Sequence, residues 1–335
     1  MASAAAENAP EKTAEILEGG LQATVQDYPG RPGMMRQGFF PAGAMDHFAL
    51  RAANLLVGNP QSAAGLEIVL GNFAVRFGSG TAVAVCGAEA PLTVDGEQVP
   101  LWESFPVQAG SQLRIGISKG PGFRLYIAFA GGIDVPPLFG SRATYTMGGL
   151  GGLDGRPLRQ GDRLPLGNGA DLRRRRFKQE ARPQYSREWE IEALAGPQAA
   201  PDYLTDEDMR TFFDRSWPVD RNSDRTGIRL ESFRFQWARP SGGVAGGHPS
   251  NILDNPYPVG AVNINGDLPV ILGPDGPTAG GFVVAATVAH AAVWKIGQLR
   301  PVGDRLRFRQ VTVDEAAELE RRQREVLSEA SLEAA

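Results

Sequence analysis

Short runs of apolar residues, interrupted by turn-forming residues, follow one another along most of the chain. The runs are rich in Val, Ile and Phe, and Gly, Pro, Asp and Asn separate them, as in LEIVLGNFAVRF, TAVAVCG, SQLRIGIS and FRLYIAFAGG. The pair Asp95 and Gly96 indicates a hairpin turn. Glycine and proline contribute 42 and 25 residues without a fixed period, which indicates many tight turns. The pattern predicts a mainly β protein with a few short helices.

Helical spacing is confined to a few stretches. In residues 45–57 the apolar positions Phe48, Ala52, Leu55 and Leu56 fall on one helical face, and Asp46 is the predicted N-cap. Thr205 is predicted to cap a second helix with an acidic first turn. Residues 286–296 fit either a strand or a helix. From Thr312 the sequence is rich in Ala, Glu and Arg, which predicts a C-terminal helix with few apolar residues.

Length and composition favour two domains. A chain of 335 residues that is 42% hydrophobic is long enough to build two cores. We expect a disordered tail at residues 1–15, a first β-rich domain at 16–170, a linker at 171–184, a second β-rich domain at 185–311 and a helical tail at 312–335.

Charge and targeting signals reduce the number of possible functions. Lys and Arg number 34 against 38 Asp and Glu, and no basic cluster is interleaved with aromatic residues, so nucleic acid is not an expected partner. The basic run at residues 173–176 fits a solvated linker or a docking patch for an acidic partner. The sequence has neither a signal-peptide pattern nor eighteen consecutive apolar residues. We therefore expect a cytoplasmic protein without a membrane partner.

Several familiar catalytic motifs lack the context that they need. Residues 116–120, GISKG, match G-x-S-x-G, but strand-like runs flank them on both sides, so we expect a hairpin loop instead of a nucleophile elbow. The three histidines are scattered, which predicts no metal site, and there is no phosphate-binding G-x-x-x-x-G-K. Cys86 lies in an apolar run, where a packed thiol is a better interpretation than a nucleophile.

Polar residues on turn-rich segments of the second half are the candidate site. Turn chemistry alone places many Asp and Asn residues in loops, so each is also explained as a turn or cap residue. Lys295 has the additional interest that the chain contains only four lysines, although a surface charge beside Trp294 is an equal alternative. The candidates are Asp224, Arg225, His248, Asn251, Asp254, Asn255, Asp267, Asp275 and Lys295.

Residues 16–311 contain several long distinctive strings, among them TVQDYPGRPG, FFPAGAMDHFALRAANLLVGN, NSDRTGIRL, HPSNILDN and GDLPVILGPDGP. These strings resemble a known family, the carboxyltransferase component of biotin-dependent urea carboxylase with its relatives, allophanate hydrolase subunit 2 and the KipA-like proteins. The resemblance implies a β-rich fold with a cyclophilin-like C-terminal half. It also implies a sister carboxyltransferase subunit, resembling allophanate hydrolase subunit 1 or KipI.

The resemblance further implies a chemistry. Carboxybiotin, carried on a separate biotin carrier protein, gives its carboxyl group to urea, guanidine or a related amide, while a separate biotin carboxylase uses ATP. Such a site must exclude water and bind the acceptor's N–H groups. On this basis Asp275, Lys295 and Asp254 are the expected catalytic residues, and the other six candidates are expected to bind substrate or biotin. The chain is expected to be inactive alone.

Two other functions stay open within the same resemblance. One is the C subunit of an ATP-dependent 5-oxoprolinase, and the other is a KipA-like interaction protein without catalysis. The string HPSNILDN favours the urea carboxylase side.

Overall fold

The first half of the chain is built from two antiparallel sheets. The computed structural model describes residues 12–169 and 173–335, and it confirms the predicted mainly β fold. The strands of the first half are β1 (Thr13–Gly19), β2 (Gln22–Gln26), β3 (Gly65–Val69), β4 (Phe73–Phe77), β5 (Thr81–Gly87), β6 (Leu92–Val94), β7 (Glu97–Gln98), β8 (Ser104–Val107), β9 (Gln112–Ile115), β10 (Arg124–Phe129) and β11 (Arg163–Pro165).

These strands form a six-stranded sheet in the order β11-β1-β4-β9-β6-β7 and a five-stranded sheet in the order β2-β3-β10-β5-β8. Side chains alternate across β5, so that Val83 and Val85 join the core between the sheets, whereas Ala82 and Ala84 face the opposite side. The five-stranded sheet is therefore buried on both faces, which explains its continuous apolar runs.

The helix α1 (His47–Leu56) covers the second face of the five-stranded sheet. The Asp46 side chain accepts a hydrogen bond from the backbone N–H of Ala49 at 2.9 Å, which confirms the predicted N-cap. Every residue of the helix is buried, because the sheet packs on one side and the second half of the chain on the other. The predicted hairpin turn at Asp95 and Gly96 is also confirmed, since β6 and β7 pair directly around it.

The second half is organised around one eight-stranded sheet. Its order is β14-β20-β13-β19-β17-β18-β15, with β16 paired to β19, and β13 and β20 run parallel. The strands are β13 (Glu188–Ala195), β14 (Trp217–Pro218), β15 (Gly227–Arg229), β16 (Asn251–Pro256), β17 (Ala261–Asn265), β18 (Leu268–Leu272), β19 (Ala279–Val288) and β20 (Arg305–Gln310). The helices are α2 (Asp206–Asp214), α3 (Val293–Ile296) and α4 (Val313–Val326). Thr205 caps α2 as predicted.

One apolar cluster extends through both halves of the chain. It joins Phe48 of α1 and Tyr126 of β10 to Trp189, Trp294 and other residues of the second half. The predicted division into two domains with a linker at residues 171–184 stays a prediction, and this shared cluster shows that the two halves are packed together.

Several predicted boundaries differ from the structure. The first strand begins at Thr13, within the predicted tail, because it pairs with β4 and β11. The C-terminal helix ends at Val326, and the chain continues into a strand, β21 (Leu332–Ala334), that pairs with β12 (Arg175–Phe177). Part of the basic run is therefore a strand, in which Arg176 forms an ion pair with Glu103. Residues 1–11 and 170–172 of the predicted tail and linker lie outside the described residues.

The observed strands and helices decide two local predictions. Residues 116–120 connect β9 in one sheet to β10 in the other, so they are not a hairpin loop, and no helix follows them. Residues 286–296 are divided between the end of β19, a 3-10 turn at His290–Ala292 and α3. Cys86 is fully buried, and burial raises the pKa of its thiol well above the usual value, in agreement with a packed, unreactive residue. Within the described ranges no helix has the length and apolar character needed to span a bilayer.

Candidate functional site

A cavity of about 330 Å³ lies on the face of the eight-stranded sheet that points away from the shared core. Along β17, Val262 and Ile264 point into the core, whereas the alternating residues Asn263 and Asn265 line the cavity. The cavity is at the small end of the range for ligand sites. Its wall is formed by Thr226, Gly227, Arg229, Tyr257, Asn263, Asn265, Leu268, Val270, Leu272, Pro277 and residues 279–282.

Asn263 is a buried polar residue of this wall, and one of its hydrogen-bonding atoms has no partner among the described residues. Its side chain is 4% exposed, and its Oδ1 accepts no hydrogen bond from any described residue. A buried amide oxygen without a partner is costly, and a bound molecule that brings an N–H group would remove that cost. The arrangement is suited to a small ligand that donates hydrogen bonds.

Tyr257 and Phe282 close one side of the cavity. The Tyr257 hydroxyl donates to the carbonyl of Phe282 at 2.9 Å and accepts from the N–H of Phe282 at 2.7 Å. Burial raises the pKa of Tyr257, and hydrogen bonds from Phe282 and Asn263 oppose this effect. Gly280 passes beneath the ring, where a Cβ atom would come within 2.8 Å of Tyr257 Cε2. A glycine is therefore required for this contact.

A buried ion pair holds the rim of the cavity. Arg225 donates from Nε to Asp275 Oδ2 at 2.8 Å and from Nη2 to Asp275 Oδ1 at 2.9 Å. The loop that carries Asp275 is also bonded through its backbone, since Asp275 N–H donates to the carbonyl of Arg225 at 3.2 Å. Thr226 and Pro277, which line the cavity, lie within two residues of this pair. The ion pair thus fixes two segments of the wall.

The same arginine reaches the first half of the chain. Arg225 Nη1 donates to Glu67 Oε1 at 2.7 Å, and Nη2 donates to the carbonyl of Gly43 at 2.8 Å. Burial alone would raise the pKa of Glu67, but the guanidinium groups of Arg225 and Arg124 lower it below its usual value. Burial likewise acts to lower the pKa of Arg225, and the carboxylates of Asp275 and Glu67 raise it overall. Glu67 and Arg225 are therefore both charged at neutral pH.

A second polar cluster lies beside the first at the junction of the two halves. The Asp46 carboxylate accepts from Gln298 Nε2 at 2.7 Å and from the Tyr185 hydroxyl at 3.2 Å. Burial raises the pKa of Asp46 to about 6, although hydrogen bonds from Ala49, Gln298 and Tyr185 lower it. Gln298 also accepts from the backbone N–H of Phe123 at 2.8 Å. These contacts join α1 and β10 to the segment after α3.

The predicted site residues near the cavity do not line it. Asp224 is exposed, and its Oδ1 accepts from the backbone N–H of Thr226 at 2.8 Å, as in a turn. Asp254 is exposed and accepts from the backbone of Asn255 at 3.1 Å, and the Asn255 amide bonds to the carbonyl of Pro256 at 3.1 Å. Asp275 and Arg225 are bonded to each other. For these five residues the structure shows local structural bonds.

His248, Asn251 and Asp267 gather around the turn between β17 and β18, beside the cavity-wall residues Asn265 and Leu268. His248 packs edge-on against Trp237 and bonds to Ser250 Oγ at 3.0 Å, and Ser250 Oγ accepts from the backbone of Gly266 at 3.0 Å. Asn251 donates to the carbonyl of Gly246 at 3.2 Å. Asp267 accepts from the backbone of Phe235 at 3.3 Å. Their roles in binding stay predictions.

Lys295 lies on α3, outside the cavity wall. Its Nζ forms an ion pair with Glu192 Oε2 at 2.7 Å and donates to the carbonyl of Glu190 at 2.8 Å. The structure does not bring Lys295 together with Arg225 and Asp275 in the wall of this cavity. Its proposed catalytic role therefore receives no support from this geometry and stays a prediction.

Two residues of the site were missed because they lie inside strands instead of loops. Asn263 is in the run AVNIN and Glu67 is in GLEIV. Asn and Glu are depleted in strands, so each was a local anomaly that signalled a special environment. Among residues 12–169 and 173–335, no three His, Cys, Asp or Glu side chains are grouped in a way that would hold a metal ion.

Comparisons with known proteins identify the class to which this fold and site belong. The family described as carboxyltransferase domain, subdomain A and B, matches residues 37–310. The chain belongs to this family. It is 40% identical over 301 residues to the urea amidolyase of Saccharomyces cerevisiae, with 88% of this chain and 16% of that protein covered. It is 40% identical over 298 residues to a putative urea carboxylase of Emericella nidulans, with 88% and 24% covered.

Other relatives have a length close to that of this chain. The C subunit of the Escherichia coli 5-oxoprolinase is 35% identical over 306 residues, with 90% of this chain and 92% of that protein covered. Among solved structures, the Kluyveromyces lactis urea carboxylase superimposes with a TM-score of 0.92 at 38% identity, covering 98% of this chain and 30% of that one. This chain therefore spans less than a third of the urea amidolyase and urea carboxylase proteins that it matches.

Proposed function

We propose that this chain is the carboxyltransferase subunit of a split biotin-dependent complex and that the acceptor is urea, guanidine or a related amide. The observation that carries the proposal is the cavity-wall residue Asn263, whose Oδ1 is buried without a partner among the described residues and would have to turn toward the cavity to meet a ligand. Urea, guanidine and amides are small molecules with several N–H groups, and each can donate to this oxygen. When bound, carboxybiotin supplies the carboxyl group, and its ureido N–H also suits this acceptor.

The chain's own residues would provide binding and a dry environment. Apolar side chains such as Val270, Leu272 and Phe282 share the cavity wall with Asn263, so they would shield one side of a bound ligand from water. In a medium of low polarity the hydrogen bond to Asn263 is stronger than it would be in water. The sister carboxyltransferase subunit, the biotin carrier protein and the ATP-using biotin carboxylase are proposed partners on other chains. We propose that the chain is inactive without them.

A role in a 5-oxoprolinase is a second candidate. It is favoured by the similarity to the C subunit of the Escherichia coli 5-oxoprolinase, which this chain matches over 92% of that protein's length. The substrate named by that relative is a cyclic amide, which also carries an N–H group. A KipA-like interaction protein without catalysis is the third hypothesis.

The deciding experiment is ATP turnover by this chain reconstituted with its sister subunit, a biotin carboxylase and a biotinylated carrier. Urea, guanidine and 5-oxoproline are tested in parallel. Stimulation by urea or guanidine that requires this chain supports the proposal. Stimulation by 5-oxoproline alone moves the chain to the oxoprolinase hypothesis, and binding of a partner without any turnover moves it to the interaction protein.

The variant Asn263→Ala tests the cavity itself. We expect it to lower kcat/KM for the acceptor by about tenfold or more, because a lost hydrogen bond in a buried site is worth about 1–3 kcal/mol. Asn255→Ala is the matched control, since Asn255 bonds only locally and lies outside the cavity wall. A larger loss for Asn255→Ala than for Asn263→Ala would move the site to the loops predicted from sequence.

A further inference from the structure

Glu67 is a buried carboxylate of the first half whose hydrogen bonds reach across to the second half. It lies on β3, and its side chain is 1% exposed. Oε2 accepts from the backbone N–H of Met45 at 2.8 Å and from the Tyr126 hydroxyl at 2.7 Å. Oε1 accepts from Arg225 at 2.7 Å. Oε2 is thus held by the first half, and Oε1 is held by Arg225 of the second half and by Arg124 of the first, whose Nε lies 3.4 Å away.

A continuous chain of charged hydrogen bonds leads from Glu67 to the rim of the cavity. Arg225 binds Glu67 through Nη1 and Asp275 through Nε and Nη2, so a rigid planar guanidinium fixes the distance between the two carboxylates. Asp275 in turn fixes the position of the loop that leads to Pro277 in the cavity wall. Gly273 of this loop packs so closely on the Arg225 backbone that a Cβ atom would lie 2.2 Å from its carbonyl oxygen.

We infer that Glu67 is a positioning residue, which sets the orientation of Arg225 and through it the loop of residues 273–277 at the cavity rim. Only the expected effect of Glu67 on turnover rests on the proposed function. Glu67 lies outside the cavity wall and so acts through Arg225. Without the negative charge of Glu67, Arg225 keeps only Asp275 and the Gly43 carbonyl as acceptors, so its guanidinium is held less firmly.

Hydrogen–deuterium exchange of Glu67→Gln tests this without any assay of activity. The amide hydrogens of Gly273, Asp275 and Gly276 bond to Thr226, Arg225 and Gly273, so their exchange reports whether the loop stays in place. We expect exchange in residues 273–277 to become about tenfold faster or more, while exchange in α4 stays unchanged. Unchanged exchange at the rim, or a uniform acceleration through the whole chain, would overturn the inference.

Two further variants separate positioning from general damage to the fold. Glu103→Gln is the matched control, because Glu103 is another buried glutamate with an arginine partner, Arg176, and belongs to neither the cluster nor the cavity wall. It should leave exchange at residues 273–277 unchanged. Glu67→Asp keeps the charge and should restore slow exchange at the rim at least in part. Acceleration equal to that of Glu67→Gln would contradict the role of the charge.

In the reconstituted complex, Glu67→Gln should lower kcat/KM for the acceptor by about tenfold, with Glu67→Asp intermediate. If no acceptor supports turnover even with the unmodified chain, the proposed function fails while the exchange result still decides the role of Glu67. If turnover is unchanged although the loop is loosened, the loop does not serve the site, and the inference is overturned in that respect.

Discussion

At the scale of single residues, the geometry of Asp275 changes what a substitution should do. If Asp275 were a catalytic turn residue, as the sequence predicts, Asp275→Asn would leave folding intact and weaken carboxyl transfer. In the structure both carboxylate oxygens bind Arg225, and the pair is almost fully buried. Removing one charge from a buried ion pair leaves its partner uncompensated. The expectation of intact folding is therefore inconsistent with these contacts.

We now expect Asp275→Asn to lower the free energy of unfolding by about 3 kcal/mol or more, as is typical when one partner of a buried pair is removed. Chemical denaturation monitored by tryptophan fluorescence measures this loss. Asp254→Asn is the control, because Asp254 is exposed and should shift stability by about 0.5 kcal/mol or less. A loss for Asp275→Asn no larger than that of the control would show that the pair contributes little.

The sequence predicted site residues between Asp224 and Lys295, and the cavity wall, from Thr226 to Phe282, lies within that span. Which loop residues bind a ligand stays a prediction, because a turn Asp and a binding Asp have the same local sequence, and only their partners distinguish them. Asp275 and Glu67 are joined through Arg225 by contacts between positions far apart in the chain, which local patterns do not reveal.

At the scale of elements, two helices begin with the same motif in different surroundings. Thr205 and Asp208 form a capping box at α2, and Thr312 and Glu315 form another at α4. Both helix starts were predictable, because capping depends on neighbouring residues. The contribution of each cap to stability was not predictable. Asp208 is buried and also accepts hydrogen bonds from the backbone N–H groups of Gln236 at 2.8 Å and Trp237 at 3.1 Å.

Asp208→Ala should therefore cost more than Glu315→Ala. The first leaves backbone N–H groups of a distant loop without an acceptor, which adds about 1–3 kcal/mol to the loss of the cap. The second removes a cap alone and should cost about 1 kcal/mol. Thermal unfolding of the two variants under the same conditions gives the comparison. Equal losses would mean that Asp208 does not hold the 236–237 segment.

The β-strand pairing at the C-terminus shows where prediction from a helical sequence pattern fails. The Ala, Glu and Arg-rich sequence after Thr312 predicted a helix to the end, but residues 332–334 pair with residues 175–177. This pairing depends on the position at which the chain leaves α4. Gln61 assists it, since its amide donates to the carbonyl of Leu327 at 2.9 Å just after α4.

At the scale of the whole molecule, the shared core makes the two halves one unit of stability. The aromatic side chains of Phe48 and Trp294 lie with their ring centres 5.9 Å apart across the junction. The buried ion cluster and the Asp46 cluster join the same two halves. Separating them would expose apolar surface, which is the main cost, and would break the hydrogen bonds that both polar clusters make across the junction.

We therefore expect one cooperative unfolding transition. Scanning calorimetry should give a calorimetric enthalpy equal to the van't Hoff enthalpy, with a ratio of about 1. The isolated segment 12–169 should not fold stably, because α1 would lose its cover. Two resolved transitions, or a stable isolated segment, would support the division into two domains that composition predicted.

The link between Glu67 and Arg225 also has a consequence for inheritance. The two residues are 158 positions apart, yet each offsets part of the cost of burying the other's charge. Two diverged relatives can recombine at a crossover between positions 67 and 225. If either parent has a substitution at one of these positions, the chimera no longer contains the matched pair. Viable chimeras should therefore carry both from the same parent, and the two positions should change together among descendants of this chain.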